Sequence, residues 1–72
     1  MSRALFEVAP VDGAWVIRMP GDSISELRAT KAEAVQRARE LGRRYDSCRV
    51  RVLSRSGQVE TELALPEVPS AS

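Results

Sequence analysis

Seventy-two residues with a formal net charge of +1, 43% hydrophobic residues and one Trp, one Tyr and one Phe are enough for a single small globular domain. One cysteine and no histidine exclude an intrachain disulfide and a zinc site of the usual Cys/His kind. A core of this size commonly supplies only ~3–5 kcal/mol, so self-association is the remaining support to expect. No segment has the apolar length of a membrane span or the make-up of a secretory signal, and a reducing cytoplasm is the expected compartment.

Charge is unevenly spread along the chain. Residues 37–55 carry seven basic and two acidic groups, a net +5, and ten of the eleven basic residues are Arg. Arg favours planar, bidentate contacts with carboxylate or phosphate over the point charge of Lys.

In chain order, Leu5 to Ala9 alternates, with Phe6 and Val8 on one face and Leu5, Glu7 and Ala9 on the other, and Pro10 is expected to end this first strand. Asp12-Gly13 is a hairpin turn signal. A second strand, Ala14 to Met19, places Trp15, Ile17 and Met19 opposite Ala14, Val16 and Arg18, and Pro20-Gly21-Asp22 turns the chain again. Ile24 to Ala29 reads as a third strand, with Leu27 and Ala29 facing opposite to Glu26 and Arg28.

Thr30 followed three residues later by Glu33 is a capping box, in which the two side chains satisfy backbone donors left open at a helix start. The helix is expected from Lys31 to about Tyr45. Ala34, Ala38, Leu41 and Tyr45 form its apolar stripe, with Val35 and Gly42 beside it, and the small residues permit close approach to a sheet. The other face carries Glu33, Gln36, Arg37, Arg39, Glu40, Arg43 and Arg44, with spaced pairs Glu33/Arg37 and Glu40/Arg44 worth ~0.2–0.5 kcal/mol each.

Cys48 to Leu53 and Gln58 to Leu65 read as a hairpin about the turn Ser54-Arg55-Ser56-Gly57. Counting outward from a four-residue turn pairs Val52 with Val59, Arg51 with Glu60, Val50 with Thr61 and Arg49 with Glu62. Val50, Val52, Val59 and Leu63 then share one face and the Arg and Glu residues the other. The expected fold is α+β, β-β-β-α-β-β, a single antiparallel sheet with one helix packed on one face. Residues 1–65 form the domain and 66–72 a flexible tail.

The order strand, Gly-x-Trp strand, strand, Thr-Lys-x-Glu-Ala helix and Gly-centred hairpin resembles the small bacterial family known as domain of unknown function 2188. The matching positions are Val8, Pro10, Gly13, Trp15, Val16, Gly21, Thr30, Lys31, Glu33, Ala34, Ala38, Leu41, Gly57 and Val59. No activity follows from that resemblance. The strand pattern also looks like the YegP-like domains, in which two units build one sheet, and this implies a homodimer. A third resemblance is to the arm-type DNA-binding domains of tyrosine integrases, which set a three-stranded sheet in the major groove. Here that region mixes Glu7, Asp12, Asp22 and Glu26 with Arg3, Arg18 and Arg28, whereas a groove-reading sheet presents a basic face.

Four features carry candidate chemistry. Arg37, Arg39, Arg43, Arg44 and Arg55 are the candidate phosphate contacts; the competing reading is a solvated helix face with Arg43 and Arg44 at the negative helix end. Cys48 in an alternating strand, without a His to deprotonate it, reads as a core thiol, and Trp15 as a core anchor. The strand Thr61 to Leu65, with Leu63 and Leu65, is the expected edge for pairing with a second chain. No local carboxylate pair, Gly-rich phosphate loop or Ser/His arrangement is present, so catalysis, metal and cofactor are not expected. The expected function is a non-enzymatic, self-associating cytoplasmic module; the alternative is a nucleic-acid-binding accessory protein using the Arg-rich helix end or the three-stranded sheet.

Overall fold

The structure is a computed structural model that describes residues 3–21 and 25–65. Six elements follow the expected order: β1 (Arg3–Val11), β2 (Ala14–Arg18), β3 (Ser25–Arg28), α1 (Lys31–Gly42), β4 (Ser47–Leu53) and β5 (Val59–Leu65). Ile24 of the expected third strand and the expected tail 66–72 lie outside the described residues. Pro10 does not end β1: it is the partner of Trp15 on β2, and it lies beyond Val8, where pairing with β4 stops, a position a proline can occupy.

The strands form one five-stranded sheet in the order β3-β2-β1-β4-β5, with α1 on one face. The sheet is mixed rather than wholly antiparallel. β1–β2, β2–β3 and β4–β5 are antiparallel, but β1 and β4, side by side at the centre, run parallel. The helix decides this. Two hairpin reversals leave β3 running in the direction of β1, and α1 returns the chain to the same end of the sheet, so β4 enters in that direction too. Parallel neighbours need such a crossover.

The core lies between α1 and the helix-facing side of the sheet. Phe6, Val8, Ile17, Val50 and Val52 supply the large groups, and Ala34, Ala38 and Leu41 the helix surface above them. Thr30 caps α1, its hydroxyl accepting from the Glu33 N–H at 3.2 Å. The helix ends three residues earlier than the expected Tyr45. Arg43, Arg44 and Tyr45 instead donate backbone N–H bonds to Glu40, Leu41 and Gly42, the tightened turns common at a helix end. Tyr45 still packs inward, edge-on to Phe6 with centroids 6.2 Å apart, and its hydroxyl reaches Met19 Sδ at 3.8 Å.

The β4–β5 register differs from the expected one, for two reasons that add to a slip of two residues. Ser54 N–H donates to Gln58 O at 2.8 Å and Gly57, at φ +87°, donates to Ser54 O at 2.9 Å, so three residues lie inside the turn rather than four. This one-residue slip pairs Leu53 with Val59, not Val52 with Val59. A bulge then shifts the ladder again, giving Val52–Thr61, Arg51–Glu62, Val50–Leu63, Arg49–Ala64 and Cys48–Leu65. Because a slip of one exchanges faces and a slip of two restores them, Leu63 stays on the helix side while Val59 joins Leu53 on the other. Glu60, displaced from Arg51, reaches Lys31 at 3.6 Å instead.

β3 turns its charged side toward the helix. Glu26 and Arg28 are the partners of Ile17 and Trp15, on the core side, and Leu27 partners Val16 on the opposite face, 61% exposed. Glu26 is held by Arg37 of α1 through bonds of 2.9 and 3.3 Å, and by Arg28 at 3.0 Å.

Candidate functional site

The sheet face away from α1 is organised in rows across the strands. One row runs Leu27 on β3, Val16 on β2, Ala9 on β1, Leu53 on β4 and Val59 on β5, through Cα partners Leu27–Val16, Val16–Ala9 and Leu53–Val59, with Ala9, Val16 and Leu53 buried together as a second small cluster. Its two ends are open: Leu27 is 61% and Val59 50% exposed. Single exposed apolar residues are ordinary on a protein surface, and here only the two ends of the row are exposed while its centre is buried within the chain.

Two residues along β1 to β4, about 6.6 Å away at ordinary strand rise, and three along the bulged β5, lies a charged row. It runs Ser25, Arg18, Glu7, Arg51 and Glu62, one residue from each strand, through the partners Arg18–Ser25, Glu7–Arg18, Glu7–Arg51 and Arg51–Glu62. Signs alternate along it. Arg18 Nη2 is 3.8 Å from Glu7 Oε1 and Arg51 Nε 3.4 Å from Glu62 Oε2, and Arg49 from the next row reaches Glu62 Oε1 at 3.2 Å. Sequence reasoning identified the alternation within each strand but not these rows. They depend on the strand order and on the bulge, neither of which a single-strand pattern contains.

A second feature is a cleft of about 730 Å³ at the end of the sheet where the β1–β2 and β4–β5 turns meet the start of α1. Pro10, Asp12, Trp15, Lys31, Arg55 and Glu60 are among the residues lining it. Trp15 is half-buried against the core with Lys31 Nζ 5.8 Å from its ring centroid, so it serves both as core anchor and as cleft wall. Lys31 is engaged by Glu60, and the acids and bases around the cleft balance.

The five candidate phosphate contacts do not converge. Arg55 lines the turn-end cleft beside Lys31, at the start of α1, whereas Arg43 and Arg44 follow the other end of a 12-residue helix, about 18 Å away along its axis. Arg37 is held by Glu26, with Glu40 a further 3.8 Å partner, and the Glu26 hydrogen bond raises its pKa. Arg39 lies half-buried on the helix between these two ends. The open face of β1, β2 and β3 carries Arg18 beside Glu7 rather than a basic surface.

Cys48 is a buried free thiol, 3% exposed, and desolvation raises its pKa, the direction opposite to that of a reactive thiolate. Among the described residues no three His, Cys, Asp or Glu side chains gather in a way that could hold a metal ion, and no helix is long and apolar enough to cross a membrane.

No curated protein and no solved structure matches the chain. The sequence profile of a family described as an uncharacterized protein conserved in bacteria matches residues 6–64, which takes in β2, β3, α1 and β4 whole and most of β1 and β5. The small α+β chain with its one-sided helix is therefore a member of that bacterial family, DUF2188.

Proposed function

We propose that this chain is a small, non-enzymatic cytoplasmic module that works by self-association. The exposed Leu27, Val59 and Val11 carry the reading, because one 12-residue helix covers only one side of a five-stranded sheet and these large apolar side chains are left to solvent in the single chain. The buried, unreactive Cys48 fits a reducing compartment. The β5 edge is the other surface on which two copies could meet. β5 lies at the sheet margin, where Thr61 is exposed and Leu63 and Leu65 are half-buried against the core. Glu60 and Glu62 on that strand oppose edge-to-edge pairing, since charged edge residues are a common protection against it.

The nucleic-acid reading has weaker support. Its five Arg are divided between the two ends of the helix and an ion pair with β3, and a net charge of +1 gives little long-range attraction for a polyanion. Light scattering from 10 to 500 μM separates the two readings. Twice the monomer mass at the upper concentrations supports self-association. A monomer throughout that is retained on DNA or RNA with a steep salt dependence supports the alternative.

A further inference from the structure

We infer that the cleft at the turn end of the sheet binds a small zwitterion with an apolar body, of the class of free aromatic α-amino acids. The strands build the cleft. Pairing of β1 with β4 stops at Val8 and Val52, whereas β1 continues beside β2 to Val11 and β4 turns toward β5 after Leu53, so the two hairpins part beyond that point. The gap between their turns, bounded by the start of α1, is the cleft of about 730 Å³, within the size range of small-molecule sites. It lies on the helix side of the sheet, away from Leu27 and Val59, and does not depend on self-association.

The charges around the cleft select the ligand. Lys31 and Glu60 already engage each other at 3.6 Å, and Lys31 Nζ stands 5.8 Å from the Trp15 ring centroid. Asp12 and Arg55 remain, one on each hairpin turn, both exposed and without a side-chain partner among the described residues. One free carboxylate and one free guanidinium match one ammonium and one carboxylate on a ligand. The ammonium donates to Asp12, and the carboxylate accepts the planar, two-pronged donation of Arg55. Pro10 and the part of Trp15 not buried in the core supply an apolar wall, against which an aromatic side chain packs offset or edge-on. A purely anionic ligand such as a nucleotide fits less well, because it meets Asp12 and Glu60 as well as Lys31 and Arg55. Asp12 and Gly13 both have positive φ, +43° and +81°, the pattern of a two-residue hairpin turn, so the Asp12 carboxylate is carried on a tight turn rather than a loose loop.

Trp15 is the single tryptophan, so its fluorescence reads occupancy of the cleft directly. The experiment titrates the full chain with L-phenylalanine, with phenethylamine, which lacks the carboxylate, and with 3-phenylpropionate, which lacks the ammonium. Backbone amide shifts locate the contact. Phenylalanine should bind at about millimolar strength, as expected of so small a ligand in an open cleft, with shifts concentrated at residues 10–15, 31 and 54–60. Each analogue should bind about fivefold more weakly, the upper value for an exposed ion pair. Arg55→Gln should weaken phenylalanine by about the same factor and leave phenethylamine no weaker. Asp12→Asn, which keeps a residue tolerant of positive φ, should weaken phenylalanine and leave 3-phenylpropionate no weaker. Circular dichroism confirms that both variants are folded, and the crossed pattern cannot come from a damaged fold, which would weaken all three compounds. No response to phenylalanine at about 50 mM, equal binding of the three compounds, variants that weaken all three alike, or amide shifts elsewhere in the chain overturns the proposal. Tighter binding of adenosine monophosphate than of phenylalanine overturns it as well and assigns the cleft to a nucleotide.

Discussion

Gly42 shows how much a single residue decides here. It is buried in the last turn of α1, and a Cβ built on it would lie 2.7 Å from Cys48 Sγ and 3.1 Å from Cys48 Cβ. Intrinsic propensity favours Ala over Gly in a helix by about 1 kcal/mol. Against that, pushing β4 away from the helix is an overpacking change of about 1–3 kcal/mol. The contact is with a strand side chain at its root, so the second effect wins. Gly42→Ala should destabilise by about 1 kcal/mol or more in urea unfolding, and pairing it with Cys48→Ala should recover part of the loss as a coupling between the two sites. The sequence placed Gly42 beside the apolar stripe and identified small residues as the means of close approach. It could not identify Cys48 as the neighbour, because that contact joins a helix end to the start of a strand whose position depends on the crossover.

At the scale of elements, β3 is the strand with the least hydrophobic support. It has four residues, lies at the sheet margin and turns Leu27 outward. Its attachment to α1 is the Glu26 carboxylate, whose pKa is lowered from the usual 4.5, chiefly by the hydrogen bond from Arg37, with desolvation opposing and Arg28 adding to the effect. A depressed carboxylate pKa contributes stability above the unfolded value and loses it as pH falls through the folded one. Glu26→Gln should therefore flatten the decline in melting temperature below about pH 4.5 relative to the wild type. At neutral pH it should speed hydrogen exchange of the β3 amides more than those of β1 or β4. Alternation in the sequence put Glu26 and Leu27 on opposite faces correctly but did not say which face meets the helix. Burying the apolar side is the ordinary outcome, and β3 departs from it because Arg37 draws Glu26 inward. The hairpin β4–β5 shows the same limit. Its strands were legible, but its register turned on a three-residue loop and a bulge, and of the apolar residues assigned to the core face only Val59 changed sides.

At the scale of the whole molecule, the helix packs on one side of a sheet that has apolar residues on both. Element order and type were legible because each strand and the helix carry their own periodicity and turn signals. The parallel β1–β4 pairing was not, since strand direction follows from where the crossover returns the chain. That pairing brings Glu7 beside Arg51 and Ala9 beside Leu53, and so builds the rows of the open face from residues more than 40 positions apart. A chain of 72 residues without disulfide or zinc has little stability to spare, and covering the exposed Leu27 and Val59 adds apolar burial that the monomer lacks. Association that is restricted to the folded state raises apparent stability with concentration. The melting temperature should consequently climb by several degrees between 5 and 500 μM chain, because 1 kcal/mol shifts a domain of this size by about 4–8 °C. Val59→Lys places a charge against the apolar row at a position already half exposed. It should leave the melting temperature at 5 μM nearly unchanged and abolish its rise at 500 μM. A wild-type melting temperature that is flat across this range would show that Leu27 and Val59 stay exposed, and that the core beneath α1 together with the small Ala9, Val16 and Leu53 cluster is sufficient for the fold.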